Sequence, residues 1–429
     1  PSLRDIQNFD PLWILPDPVA SRLKNLIQYE WLQESSSASK SNLVKNPNAR
    51  KISMYTANPD LTGLVAVTNA EKVILDRVDN KFNIDETVLR TLSEEERKEY
   101  EATKQANELR EQIGKIPGLC ILIDEVQDIA GWEHSVRSYR TVDNTDVVIT
   151  GSNSKMLSSE LSSLLRGRFQ EIHVLPLSYA EFLEFHNLTD SDNAFMFYLN
   201  YGGLPGLRNV GLENEELVQE YLSGVLNTVV LKDVIERHTI RNVTFLNNLL
   251  SFIADTVGKL NSASSISKYM KSQQIDISTN VILSYMTYFN EALLTHSVSR
   301  YDIHGKKLLE TTGKSYFGDV GLRNFIVGGE RENDVEKVLE NIVYLHLLRL
   351  GYTVKEGQLR AGEIDFVCPK HRRKIYVQVA YLIANEETRQ REFGNLRLIH
   401  DNYPKYVISA TPLLRRSDSD GITHLHIRE

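Results

Sequence analysis

Two short runs constrain this chain more than any other feature: "CILIDE", Cys120 to Glu125, and "DVVITGSN", Asp146 to Asn153. Each is an unbroken apolar segment of strand length that stops at polar or glycine residues, and a helical stretch, "WEHSVRSYR", lies between them. A strand that is apolar on both faces has to be covered on both faces. That condition predicts a parallel sheet in an α/β layer, with "SKMLSSELSSLL" as the next covering helix. Ligands of such sheets sit at the carboxyl ends of the strands, where Asp124, Glu125 and the Gly151-Ser152-Asn153 turn fall.

The rest of the chain narrows the class further. At 429 residues it has room for about three domains. No apolar run approaches the roughly 18 residues of a membrane helix, and "PSLRDIQNFD" lacks the layout of a signal peptide, so a cytoplasmic protein is expected. Cys120 and Cys368, the only cysteines, both lie in apolar runs, against a disulfide framework or a cysteine-based zinc site. The formal charge of −8 is wrong for a protein that coats nucleic acid, so any DNA contact requires a local basic surface.

Along the chain, residues 1 to 45 show little periodicity and end in the polar tract "ESSSASKSNLVKNPN". "KISMYT" is predicted as a short strand, and "SEEERKEYEATKQANELREQIGK" as a solvated helix with opposite charges three and four apart. From "YGGLPG" to about residue 295 the pattern is helical. Two helices follow one another closely there, and a hairpin over 296 to 317 with Gly305 in its turn completes the pattern of a winged helix. The last 90 residues open on the amphipathic "VEKVLENIVYLHLLRLG" and continue with the strands "YTVKEG", "EIDFVCP", "KIYVQVAYL" and "KYVISA".

Adjacent acids after a buried strand suit nucleotide hydrolysis. One holds the magnesium shell and the next orients the attacking water, while a polar residue on the neighbouring strand, here Asn153, senses the terminal phosphate. Arg166 or Arg168 would supply positive charge to the transition state. "ILIDEVQDIAGWEHSVRSYR", "VVITGSNSKMLSSELSSLLRGRFQEIHVLPLSYAEFLEF", "YGGLPG" and "LKDVIERHTIRN" resemble the prokaryotic AAA-like P-loop ATPases that end in a PD-(D/E)xK nuclease-like domain. The resemblance implies an AAA-like core over 1–212, a helical lid and winged helix over 213–330, and a restriction-endonuclease-like α/β domain over 331–429. It makes Asp124 and Glu125 the Walker B pair, Asn153 the sensor and Arg168 an arginine finger or sensor. ATP and Mg²⁺ are the implied cofactors, and a finger acting between subunits implies a homo-oligomer.

One part of that pattern is missing. The family carries a glycine-rich G-x-x-x-x-G-K-[ST] loop, in which glycine lets backbone N–H groups reach the phosphates. The nearest counterpart is "ESSSASKS", where Lys40 and Ser41 are in place but Glu34 and Ser39 stand at the glycine positions. Three readings stay open: a degenerate phosphate site, a lost one, or a sequence without its phosphate loop.

Two further constellations are expected to act. Thr279, Asn280 and Ser284 on the second helix of the winged pair face outward toward double-stranded DNA, with Arg300, His304, Lys306, Lys307 and Lys314 of the hairpin on its phosphates. Glu340, Asp365 and Gln378 resemble the metal-gathering core of the nuclease-like family, where Asp365 and Gln378 would hold Mg²⁺. The lysine of that core is replaced by Ala380, so cleavage is not expected unless Lys374 or Arg391 substitutes in space. Beside the ATPase stand two alternatives: a DNA-binding scaffold with a decayed ATPase site, and a metal-dependent DNase.

Overall fold

The structure, a computed structural model, describes residues 52–55, 64–67, 120–123, 125, 126, 129, 132, 136, 146–152, 172–328, 334–360, 362–412 and 417–429. The chain packs as two compact units that divide between Val174 and Leu175.

In the first unit, β1 (Ile52–Tyr55), β2 (Leu64–Val67), β3 (Cys120–Ile123) and β4 (Asp146–Ile149) form one sheet in the order β1-β2-β3-β4. β2, β3 and β4 run parallel, as the apolar runs predict, and β1 joins antiparallel. "KISMYT" thus supplies a strand as expected, and β2 comes from a stretch with no clear sequence pattern. Ile123, Val126, Ile129, Trp132 and Val136 are buried. The last four recur at helical spacing, so one face of the segment after β3 packs inward.

The second unit begins with helices. They are α1 (Tyr179–Phe185), α2 (Asp192–Tyr201), the single turn α3 (Leu207–Val210) and α4 (Glu215–Thr228), which continues in π form over Val229–Glu236. Then come α5 (Val243–Asp255), α6 (Ala263–Ser272) and α7 (Thr279–Glu291). Polar side chains start them: Ser178, Ser191, Asn214, Asn242, Ser262 and Ser278 each accept a hydrogen bond from a first-turn backbone N–H.

The expected hairpin follows as β5 (Thr295–Asp302) and β6 (Lys307–Phe317), then α8 (Val320–Val327) and α9 (Val335–Arg349). Next are β7 (Lys355–Gln358), β8 (Glu363–Lys370), β9 (Arg373–Ala380), α10 (Glu386–Arg397), β10 (Lys405–Ser409), β11 (Ser417–Ser419) and β12 (Ile422–His426). The hairpin does not stand apart from these strands. β5 pairs in parallel with β7, and all eight make one mixed sheet in the order β11-β12-β10-β9-β8-β7-β5-β6.

"YGGLPG" has a structural explanation. The buried Asp319 carboxylate, which also caps α8 by accepting from Leu322 N–H, accepts a 2.8 Å hydrogen bond from Gly203 N–H. A Cβ at Gly202 would lie 2.3 Å from Asp319 Oδ1, and one at Gly203 would lie 2.3 Å from the Leu177 carbonyl oxygen. Gly202 also has φ +77, so glycine is required there for conformation as well as for space. Burial raises the Asp319 carboxyl to about 6, against the pull of the N–H groups that it accepts.

Candidate functional site

The first candidate site is the carboxyl edge of β3 and β4. Thr150 N–H donates to the Ile123 carbonyl at 2.9 Å and Val126 N–H donates to the Thr150 carbonyl at 3.0 Å, which carries the pairing one step past the strands. Between them Glu125 takes φ 50, and its N–H donates to Thr150 Oγ1 at 3.2 Å. A left-handed conformation costs a non-glycine residue about 1–2 kcal/mol. Here the turn places Glu125 on the surface at the strand tip. Asp124, Asn153, Arg166, Arg168, Lys40 and Ser41 lie outside the described residues.

The second candidate site lies in the C-terminal sheet. Lys314 of β6 points inward, 3% exposed, and its Nζ donates to Glu340 Oε1 of α9 at 2.8 Å and to Asp365 Oδ1 of β8 at 3.1 Å. Tyr316 hydroxyl donates to the same Glu340 oxygen at 2.5 Å, and Val379 N–H donates to Asp365 Oδ2 at 2.9 Å. Gln378 accepts from Asp365 N–H at 3.4 Å and donates to the buried Glu392 at 3.2 Å. Glu340 is held above the usual carboxylate range, first by burial and then by Asp365, while Lys314 and Tyr316 pull it down. Lys314 is itself raised: the two carboxylates outweigh its burial.

Glu340, Asp365 and Gln378 therefore do meet. Ala380 is buried, and neither expected substitute takes the place of the missing lysine: Lys374 pairs with Asp401 at 3.1 Å, and Arg391 pairs with Glu392 at 2.7 Å. The lysine that reaches the cluster is Lys314. It was expected on the outer side of the hairpin, and its burial takes it away from phosphates. Lys314 and Tyr316 are two apart on a strand and so share a face, but Phe317 puts an aromatic on the other face as well, so the alternation alone did not mark the lysine as inward. Among the described residues, no three of His, Cys, Asp and Glu are arranged to hold a metal ion.

The chain is 37% identical over 338 residues to an uncharacterized protein of Haemophilus influenzae, a match that covers 77% of this chain and 82% of that one. Residues 68–183 match an AAA domain. The chain belongs to this family of AAA-domain proteins. It is also 30% identical over 289 residues to the uncharacterized protein MJ1544 of Methanocaldococcus jannaschii, with 63% of each chain covered. A Walker-type ATPase of Pyrococcus abyssi is similar at a TM-score of 0.37 and 17% identity, over 57% of this chain and 72% of that one. Residues 192–333 match a domain of unknown function (DUF8612), which in this AAA-domain protein runs from α2 past the hairpin. The AAA match includes Asp124, Glu125, Asn153 and Arg168, and it begins after Lys40 and Ser41.

The third set of residues in this AAA-domain protein lies on α7 and the hairpin. Thr279, Asn280, Leu283, Ser284 and Thr287 are exposed, while Ile282 and Phe289 face the core. Ser284 hydroxyl donates to the Asn280 carbonyl at 3.0 Å. Arg300 is committed elsewhere: its Nε lies 2.9 Å from the fully buried Glu356 and its guanidinium 3.6 Å from Glu363. Lys306 is exposed in the turn, beside His304, and Lys307 opens β6.

Proposed function

We propose that this AAA-family, P-loop ATPase-like protein binds ATP with Mg²⁺, hydrolyses it, and uses the nucleotide state to reposition a DNA-facing surface in its C-terminal half. The observation that carries the reading is the tip of β3. Glu125 is exposed at the carboxyl end of a parallel strand, held in a left-handed turn against Thr150 just past the end of the next strand. A carboxylate held there suits the orientation of an attacking water, with Asp124 on the magnesium shell, Asn153 sensing the terminal phosphate and Arg168 on the transition state. The donor chemistry fits the nucleotide on its magnesium side, and Lys40 and Ser41 are the residues we assign to the phosphates.

In this reading 1–212 is the ATPase core, 213–330 a helical and winged-helix region, and 331–429 a nuclease-like region. The exposed polar face of α7, with Thr279, Asn280 and Ser284, meets double-stranded DNA beside Lys306 and Lys307. Arg168 acting in trans makes a homo-oligomer the working assembly. A DNA-binding scaffold with a decayed ATPase site is the competing reading, and serine and glutamate at the loop's glycine positions favour it.

Calorimetry of ATP with Mg²⁺ on the full chain separates the two. Micromolar binding, with turnover lost and binding retained in Glu125→Gln, is expected for the ATPase. No heat of binding, or equal turnover in wild type and variant, sinks it.

A further inference from the structure

We propose that Lys314 is the resident cation of the C-terminal carboxylate cluster, so that this nuclease-like sheet carries its positive charge internally and does not take a divalent metal. The ammonium bridges Glu340 and Asp365 at 2.8 and 3.1 Å, which is where a cation shared by these two carboxylates would sit. The three side chains are 3%, 11% and 11% exposed. A magnesium ion needs about six oxygen ligands in near-octahedral array and keeps several waters. No such shell has room here. Glu340 Oε1 already accepts from both Lys314 and Tyr316, and the two oxygens of Asp365 accept from Lys314 and Val379 N–H. Glu340 Oε2 lies against Gly258, where a Cβ would be only 2.6 Å away.

The hairpin is built to deliver this lysine. Ser299 faces Gly313 across β5 and β6, but Arg300 faces Leu309, so three residues of β6, 310 to 312, go unmatched just before Gly313, the neighbour of Lys314. Asn261 bridges to Gly313 at that point. Val298, opposite Lys314, is buried with it. A hydrolytic lysine must reach a scissile phosphate in solvent, whereas this one is closed over by the sheet and neutralises the acids it touches. The consequence is a module that keeps a nuclease-like carboxylate set and holds it shut.

The test is Mn²⁺ binding to the nucleotide-free full chain, read by electron paramagnetic resonance, in wild type, Asp365→Asn, Lys314→Ala and the Lys314→Ala/Asp365→Asn pair. Wild type and Asp365→Asn are expected to bind Mn²⁺ equally, whereas Lys314→Ala gains one site that the second substitution removes. Should Lys314→Ala fail to fold, Lys314→Ala/Glu340→Gln, which removes a carboxylate along with the ammonium, is expected to fold without metal. Asp365-dependent Mn²⁺ binding or plasmid nicking by the wild type overturns the inference. So does a folded Lys314→Ala that gains no site, or a double variant that stays unfolded. None of these readouts uses ATP, so they stand apart from the ATPase reading.

Discussion

Glu125 stands exposed at the end of β3, held by one backbone turn, while Glu340 and Asp365 in the second unit are buried under Lys314 with their oxygens largely engaged. The same functional group is exposed in one unit and buried in the other. Solvent access makes the difference. An exposed carboxylate remains hydrated and can meet a nucleotide's metal and water, but two carboxylates taken out of water must bring a counter-charge with them. Acids at strand ends are therefore weak evidence for chemistry until their cation is accounted for.

The comparison can be broken most directly at Glu125. Replacing it with Gln is expected to cut turnover by about 10²–10⁴-fold, the usual worth of a positioned acid or base, while leaving stability within about 0.5 kcal/mol. Phosphate release and urea denaturation read the two. Lys314→Ala should behave in the opposite way. It leaves two buried carboxylates unpaired, for which a loss of about 3–5 kcal/mol is expected, localised to 175–429 by hydrogen exchange. If both substitutions cost the same stability, the contrast between outward and inward acids is wrong.

A smaller effect is expected at Asp319, another buried acid, which is satisfied by N–H groups rather than by a cation. Asp319→Ala strips the partners of Gly203 and Leu322 N–H, at about 1–3 kcal/mol for each group left unsatisfied. Its pH response sharpens the point. Burial raises Asp319 to about 6 and Glu356 to about 7. A carboxyl raised on folding binds its proton more tightly in the native state, so the stability is complete below about pH 4 and lost as pH rises through 6 to 7. Protection of 175–429 is expected to be greater at pH 5 than at pH 8, and a flat profile would mean that these groups are better paired than described. Smallest of all, Lys306→Ala should lower the salt slope of duplex DNA binding by about 1 with little change in sequence preference.

The legible parts of the chain were those with strong local pattern. β3, β4, β8, β9 and the helices α6, α7 and α9 follow the apolar periodicity, and the hairpin turn falls at Gly305 as expected. Local pattern was weakest where polar residues dominate. α10, "EETRQREFGNLR", buries only Glu392, Phe393 and Leu396, β11 is three polar residues, and β12 is a five-residue run with only two apolar positions. At the candidate sites, Asp124 and Glu125 were identifiable because they follow a recognisable buried strand, whereas Glu340 and Asp365 were picked out by the resemblance to the nuclease-like core.

The sequence by itself determined the strongly patterned strands and helices of the second unit and that β3 and β4 run parallel, because periodicity and strand ends are written in neighbouring residues, while the grouping of Glu340, Asp365 and Gln378 came from the resemblance to the nuclease-like core. Only the tertiary structure decided that the hairpin is part of the eight-stranded sheet and that Lys314 belongs to the acids rather than to a surface. The lysine is 26 residues from Glu340 and 51 from Asp365, and Gly203 is 116 from Asp319. Charge pairing and hydrogen bonding depend on distance in space, and no spacing along the chain specifies which buried acid a given cation or N–H will meet.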